Sequence, residues 1–166
     1  MADVDPELRD RVSALERRVQ ELEDQLAILR VINSWGPAVD TGSSMAAGAL
    51  FDSDGVLESD LSRLEGPAGV EAMVHSDGQQ SLIGRGCAHV QTAPLIVVDG
   101  DRATAIAYSQ VYLHADQGHE VWRVSANQWE FRRTPNGWRV TRRLNRVIDG
   151  NPEAHSILRR ALGDDG

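Results

Sequence analysis

Five histidines, two tyrosines and one cysteine carry most of the side-chain chemistry open to this chain, because all 17 of its basic residues are arginine. Without lysine there is neither a Schiff-base amine nor a lysine general base. No Gly-rich phosphate loop and no Gly-x-Ser-x-Gly elbow occurs. His114 and His119 flank a turn, but no carboxylate-rich spacing around them resembles a metal motif, so no metal and no other cofactor is expected. His75, His119 and His155 stand in polar loop-like or helical contexts and are expected to be solvated. His89 lies on an expected strand, and Asp40 closes an expected helix. A histidine hydrogen-bonded to an aspartate is a competent general base: the carboxylate fixes the tautomer, leaves the second ring nitrogen free, and stabilises the imidazolium once formed. An unperturbed imidazole titrates at about 6.5, which suits work near neutral pH. Such a base removes an activated C–H proton, and loss of hydroxide or halide from the adjacent carbon completes an elimination without a redox cofactor. Spacing alone does not pair the two residues. An aspartate at a helix end also caps or faces water, and a strand histidine is also satisfied inside a core.

Other candidates follow from alternation along strands. Tyr108, Gln110, Tyr112 and His114 share one face, which either lines a pocket or covers the outer surface of the sheet. Asn127 and Trp129 share a face of the next strand, with packing the plainer role for Trp129. Trp35 and Phe51 are expected to form an apolar pocket wall, although core packing requires the same residue types. Cys87 is on the same face as His89, as a pocket-lining thiol or a small buried residue.

These residues need elements to hold them. Asp5-Pro6 reads as an N-cap followed by proline in the first helical position. Leu8, Val12, Leu15, Val19, Leu22, Leu26 and Leu29 then recur at alternating steps of four and three, a heptad seam of about three repeats. From Leu26 the apolar stripe widens to include Ile28, Val31, Ile32 and Trp35, which indicates burial against a domain. Gly36-Pro37 is expected to kink or break this helix and re-aim Asp40, since an interior proline costs about 3 kcal/mol. A short helix capped by Ser43 or Ser44 should run to about Phe51. A short strand from Val56 to Ser59 follows, and Gly66-Pro67 opens another helix. From about Arg85 the pattern becomes β, with strands near 87–98, 102–114, 119–133 and 137–148 joined by turn-forming segments such as Asp99-Gly100-Asp101 and Pro135-Asn136-Gly137. Pro152 to Leu162 can form a terminal helix, with fraying expected at Asp164-Asp165-Gly166. The expected fold class is α+β, with residues 1–25 as a helical extension, 26–150 as the main domain and 151–166 as a C-terminal helix or tail.

Composition narrows the function. A chain of 166 residues with 41% hydrophobic residues can bury one sizeable core. A formal net charge of −8 argues against a nucleic-acid partner, which would need a basic face. No apolar run approaches the ~18 residues of a membrane helix. The polar, acidic start MADVDPELRD lacks the features of a secretory signal, and a single cysteine fits a reducing compartment, so a cytoplasmic location is expected.

In chain order, Trp35-Gly-Pro-Ala-Val-Asp40, Phe51-Asp-Ser-Asp-Gly-Val56, Gly66-Pro-Ala, His89-Val-Gln-Thr92, Asp99-Gly-Asp-Arg-Ala103 and Asn136-Gly-Trp-Arg-Val-Thr-Arg-Arg143 resemble the SnoaL-like family of the nuclear transport factor 2-like superfamily. The resemblance covers about residues 26–150. It implies a cone: a curved antiparallel sheet with helices packed on its concave face and a pocket between them. The superfamily includes polyketide cyclases, scytalone dehydratase, a bile-acid dehydratase, ketosteroid isomerase and a hexachlorocyclohexane dehydrochlorinase. In the dehydratase and dehydrochlorinase branch an aspartate near the end of the first helix orients a histidine at the start of a strand, which places Asp40 and His89 in those roles. An arginine five residues after the last-strand tryptophan is also functional in the dehydrochlorinase, and that spacing from Trp138 falls on Arg143. Trp35 stands where relatives often carry tyrosine or lysine, and an indole cannot donate a proton near neutral pH. Ala93 stands where an asparagine is common. The resemblance implies a dehydratase-like lyase acting on a small hydrophobic or polycyclic molecule. An isomerase or cyclase using the same base, or a non-catalytic binding or assembly protein, are the alternatives. It also implies a homo-oligomer, a dimer or trimer, to which the heptad seam adds a second means of self-association. A long helix folded back on its own domain is the competing reading of that seam.

Overall fold

The computed structural model describes residues 5–163, so the fraying expected at residues 164–166 lies outside the described residues. Asp5 caps α1 (Pro6–Asp40) by accepting a hydrogen bond from the Glu7 N–H, with Pro6 in the first turn. The expected break at Gly36-Pro37 does not occur, and α1 continues through Pro37 to Asp40. Proline lacks only its own N–H, and the helix ends within one turn, so little ladder remains to disrupt. Thr41 closes the end by donating both its N–H and its hydroxyl to the Pro37 carbonyl. Gly36 serves a different purpose: a Cβ there would lie 2.2 Å from the carbonyl oxygen of His89. The glycine lets the last turn of α1 press against the strand that carries the histidine.

After α2 (Ser44–Gly48) come β1 (Phe51–Glu58), β2 (Arg63–Glu65), α3 (Gly66–Val74) and α4 (Asp77–Arg85). The last of these lies outside the expected elements, although its start carries a readable signal: Ser76 caps it, accepting from the Gln79 N–H, in a Ser-x-x-Gln sequence. The strand expected over 87–98 divides into β3 (Cys87–Gln91) and β4 (Leu95–Asp99) around Pro94, and both pair antiparallel with β5 (Arg102–Ala115). Next come β6 (Gly118–Thr134), β7 (Gly137–Val147) and α5 (Pro152–Arg160). The sheet order is β2-β1-β7-β6-β5-β3, with β4 also on β5, and every pair is antiparallel except β1 with β7. Register shifts in β5–β6 and β6–β7 bend the sheet, as bulges do.

The principal core lies between the concave face and the first helices. Ile28, Ile32, Trp35 and Val39 of α1 pack with Ala105, Trp129, Phe131 and Val140 of the sheet. A smaller cluster forms on the opposite face, where Ala154 and Ile157 of α5 cover Ala126, Ile106 and Leu144. No helix of the described residues is long and apolar enough to cross a membrane.

Candidate active site

Asp40 ends α1 and His89 occupies the middle of β3. The Asp40 carboxylate holds the histidine at two points. Its Oδ1 is 2.5 Å from the His89 Nδ1, and its Oδ2 accepts the His89 backbone N–H at 2.7 Å. Burial alone would raise the Asp40 carboxyl, but the His89 ring and backbone bonds outweigh it and hold Asp40 below the usual carboxylate range. An ionised carboxylate only accepts, so Nδ1 donates to Asp40, and in the neutral ring Nε2 is then the nitrogen with the lone pair. Gln79 fastens this end of α1 by donating to the Val39 carbonyl at 3.1 Å.

Cys87 stands behind the pair rather than in the pocket wall. Its thiol donates to Asp40 Oδ1 at 3.3 Å. Burial, reinforced by the Asp40 charge, pushes the thiol up to about 11. Asp40, Cys87 and His89 present ligand atoms within 4.8 Å of one another, the one such grouping among the described residues. The Asp40 bonds to Cys87 and His89 join the three side chains in one hydrogen-bond network.

His89 borders a cavity of about 160 Å³ whose wall includes Trp35, Leu57, Val111, Trp122, Arg123 and Arg143. That volume is close to the ~150 Å³ cavity known to hold benzene, so the space beside His89 accommodates about one ring, and the cavity opens to solvent past Leu61 and Trp122. Leu61 and Trp122, largely exposed, stand at its edge. Among the described residues, no tyrosine, lysine or carboxylate contributes to the wall.

Arg143 is 4% exposed and lies between two indoles, 4.5 Å from the Trp35 ring centre and 4.1 Å from that of Trp129. Its Nε and Nη2 donate to Asn127 Oδ1 at 3.0 and 2.9 Å. No carboxylate pairs with it among the described residues. Burial, and secondly the Arg123 charge, push the guanidinium down to about 9, still charged at neutral pH. Trp138 and Arg143 are five positions apart, which on a regular strand would set them on opposite faces. The extra residue Thr141, where Phe131 pairs with Val140 and Glu130 with Arg142, turns both inward.

The remaining expected site residues divide by face. Asn127 is fully buried and bonded at both ends of its amide: Oδ1 also accepts from Asn145 at 2.9 Å, while Nδ2 donates to Ser109 Oγ at 2.7 Å. It positions Arg143 from behind. Trp129 and Phe51 are buried in the core, with Phe51 set edge-on to Trp35 at 6.0 Å. These three residues therefore back the wall and do not form it. Tyr108 and Tyr112 point to the outer face, because the inward positions of β5 are Ala107, Ser109, Val111 and Leu113. Tyr108 borders a separate groove of about 400 Å³ between β5 and α5. That groove is roomier than the His89 cavity but contains no acid–base pair. Trp122 and Arg123, absent from the expected set, reach the cavity rim because the register shifts opposite Val111 and Tyr112. Arg123 is anchored by Asp60 and by Asn145 Oδ1.

Comparison with known proteins agrees with this architecture. The pattern of the SnoaL-like domain matches residues 20–144. A nuclear transport factor 2-like protein with a cystatin-like fold from Novosphingobium aromaticivorans is 34% identical, with a TM-score of 0.86 over 95% of this chain and 98% of that one. A hexachlorocyclohexane dehydrochlorinase from Novosphingobium barchaimii superposes with a TM-score of 0.68 at 15% identity, over 81% of this chain and 96% of that one. ActVI-ORFA from Streptomyces coelicolor gives 0.65 at 20% identity, over 76% and 98% respectively. At those identities the last two bear on the fold alone. No functionally curated protein matches the sequence. With the domain pattern running from residue 20 to residue 144, the chain belongs to the SnoaL-like family of the nuclear transport factor 2-like superfamily.

Proposed function

We propose that this member of a family of small-molecule-processing proteins is a cofactor-free lyase in which His89 is the general base. The observation that carries the reading is the 2.5 Å Asp40–His89 contact beside a cavity that also contains Arg143. Nε2 takes the proton of an activated C–H bond. The electron pair released forms a double bond as a group leaves the adjacent carbon, and Asp40 offsets the charge gained by the ring. Arg143, without a carboxylate of its own, stabilises the negative charge that develops on a leaving group or enolate oxygen. Trp35 cannot supply a proton, and the wall holds no separate acid. The departing group is therefore a halide or similar anion that needs no proton, or a hydroxide that recovers the proton from His89. The small cavity favours a single-ring substrate over a polycyclic one, any larger part extending past Leu61 and Trp122.

The missing second acid also supports isomerisation as an alternative, since one base then removes and returns the same proton. The test is a turnover screen of single-ring compounds that carry a leaving group next to an activated C–H. Wild type is compared with His89→Ala and Asp40→Asn. Release of halide or water with formation of an alkene supports the lyase, and a shifted double bond without release supports the isomerase. Tight binding without turnover in the wild type supports a binding protein and contradicts both.

A further inference from the structure

The apolar seam of α1 faces away from the domain to which the helix belongs. Asp24, Ile28, Ile32 and Trp35 are the buried side of α1. At about 100° per residue, the seam of Leu8, Val12, Leu15, Val19, Leu22 and Leu26 falls on the opposite side of the cylinder. Those six residues are 44% to 61% exposed. The helix is thus docked by one stripe and leaves a second stripe in water along about 30 Å of its length. Folding back on its own domain does not account for the second stripe. Its first half, up to Glu23, has no buried side chain, and an isolated helix of that length is marginal in water.

We infer that this seam pairs with the same seam of a second copy of the chain, as a parallel two-stranded coiled coil. The steps of four and three set Leu8, Leu15 and Leu22 at the d positions and Val12, Val19 and Leu26 at the a positions. β-Branched residues at a with leucine at d favour two parallel strands over three or four. The charges flanking the seam specify the same arrangement. In a parallel pair, each g residue meets the e residue five positions later on the other helix. Arg11 then faces Glu16 and Arg18 faces Glu23, and each pairing occurs twice across the twofold axis. In an antiparallel pair g meets g and e meets e; the g residues are Arg11, Arg18 and Gln25, so no g–g contact joins opposite charges. Arg11, Glu16, Arg18 and Glu23 make no ion pair within the chain among the described residues, so all four charges are available to a partner. Asp24 is excluded from the seam: it bonds Arg133 and Trp138 on the domain side.

The test uses the full chain with Leu8→Cys, which sets two thiols opposite each other at a d position only if the helices are parallel and in register. Wild type, whose Cys87 is withdrawn against Asp40, and Asp10→Cys, on the outer side of the helix, are the controls. Under a glutathione redox buffer at tens of micromolar protein, Leu8→Cys is expected to form a disulfide-linked dimer at least fivefold more fully than either control. Adding Arg11→Glu with Arg18→Glu should abolish that excess, as should adding Glu16→Arg with Glu23→Arg. Mixing the two charge variants should restore the link as a heterodimer. Equal linking in Leu8→Cys and Asp10→Cys, or linking indifferent to the charge changes, overturns the proposal. A helix that pairs with a different protein would give that same result.

Discussion

Gly36 lies so close to His89 that a Cβ at position 36 would be 2.2 Å from the histidine's carbonyl oxygen. The contact fixes how near the end of α1 comes to β3, and so whether the Asp40 carboxylate can reach both the ring and the backbone N–H of His89. Gly36→Ala must push helix and strand apart. Overpacking of this kind costs about 1–3 kcal/mol. The expected result is a lowered denaturant midpoint together with loss of activity larger than the stability change explains. An unaffected midpoint would show that the two elements are free to separate.

Asp40 also sets the state of Cys87. Burial, with the Asp40 bond and charge added to it, holds the thiol up to about 11, so at pH 8 the native thiol should react with iodoacetamide about 10–100-fold more slowly than an unperturbed cysteine. Asp40→Asn removes the charge and should speed the reaction. In the same variant, nitrogen NMR of His89 should lose the Nδ1-protonated tautomer as its dominant form. A thiol as reactive in wild type as in Asp40→Asn would contradict the network.

Arg143 is buried with no carboxylate paired to it among the described residues, an arrangement that serves stability poorly. Arg143→Met retains contact with Trp35 and Trp129, and Asn127 Oδ1 keeps its bond from Asn145. The expected outcome is a thermal midpoint unchanged or raised, with turnover falling about 10²-fold or more. Arg143→Lys should also lose turnover, because an ammonium cannot hold the fork to Asn127 or lie flat between indoles. A large loss of stability in Arg143→Met would make the arginine a structural residue.

Asp24 fastens α1 to the sheet. Arg133 bonds both its oxygens at 2.6 and 2.7 Å and Trp138 Nε1 donates to it at 3.0 Å. The Arg133 bonds, against burial and helped by Trp138, hold its carboxyl below the usual range. A carboxylate lowered on folding adds stability above its unfolded value and loses it as the pH falls through the folded one. Asp24→Asn should therefore cost about 1.5–3 kcal/mol at pH 7, and its difference from wild type in urea titrations should narrow as the pH drops below about 4. A difference constant down to pH 2 would contradict this.

The Asp40–His89 pair and the place of Arg143 were readable in the sequence because they fall on a family pattern. The heptad seam and the longer strands were readable because their periods differ. What was not legible depends on contacts between elements. The role of Gly36 is invisible until α1 meets β3, and the same dipeptide alone suggests a break. The bulge at Thr141 sends Arg143 inward, and the shift opposite Val111 brings Trp122 and Arg123 to the rim; where a one-residue insertion falls is set by pairing with the neighbouring strand. Alternation grouped Tyr108 with Tyr112 correctly, but which face of the strand meets α1 is settled by tertiary packing. Helix α4 is marked in the sequence only by its Ser76–Gln79 cap, since its nine residues are too short for a clear apolar period.

The claim that His89 is the base meets its most direct test in single-turnover kinetics on the best substrate from the screen. His89→Ala should lower the rate of C–H proton loss by about 10²–10⁴-fold, with substrate affinity and thermal midpoint close to wild type. Proton loss at the wild-type rate in folded His89→Ala would contradict the account.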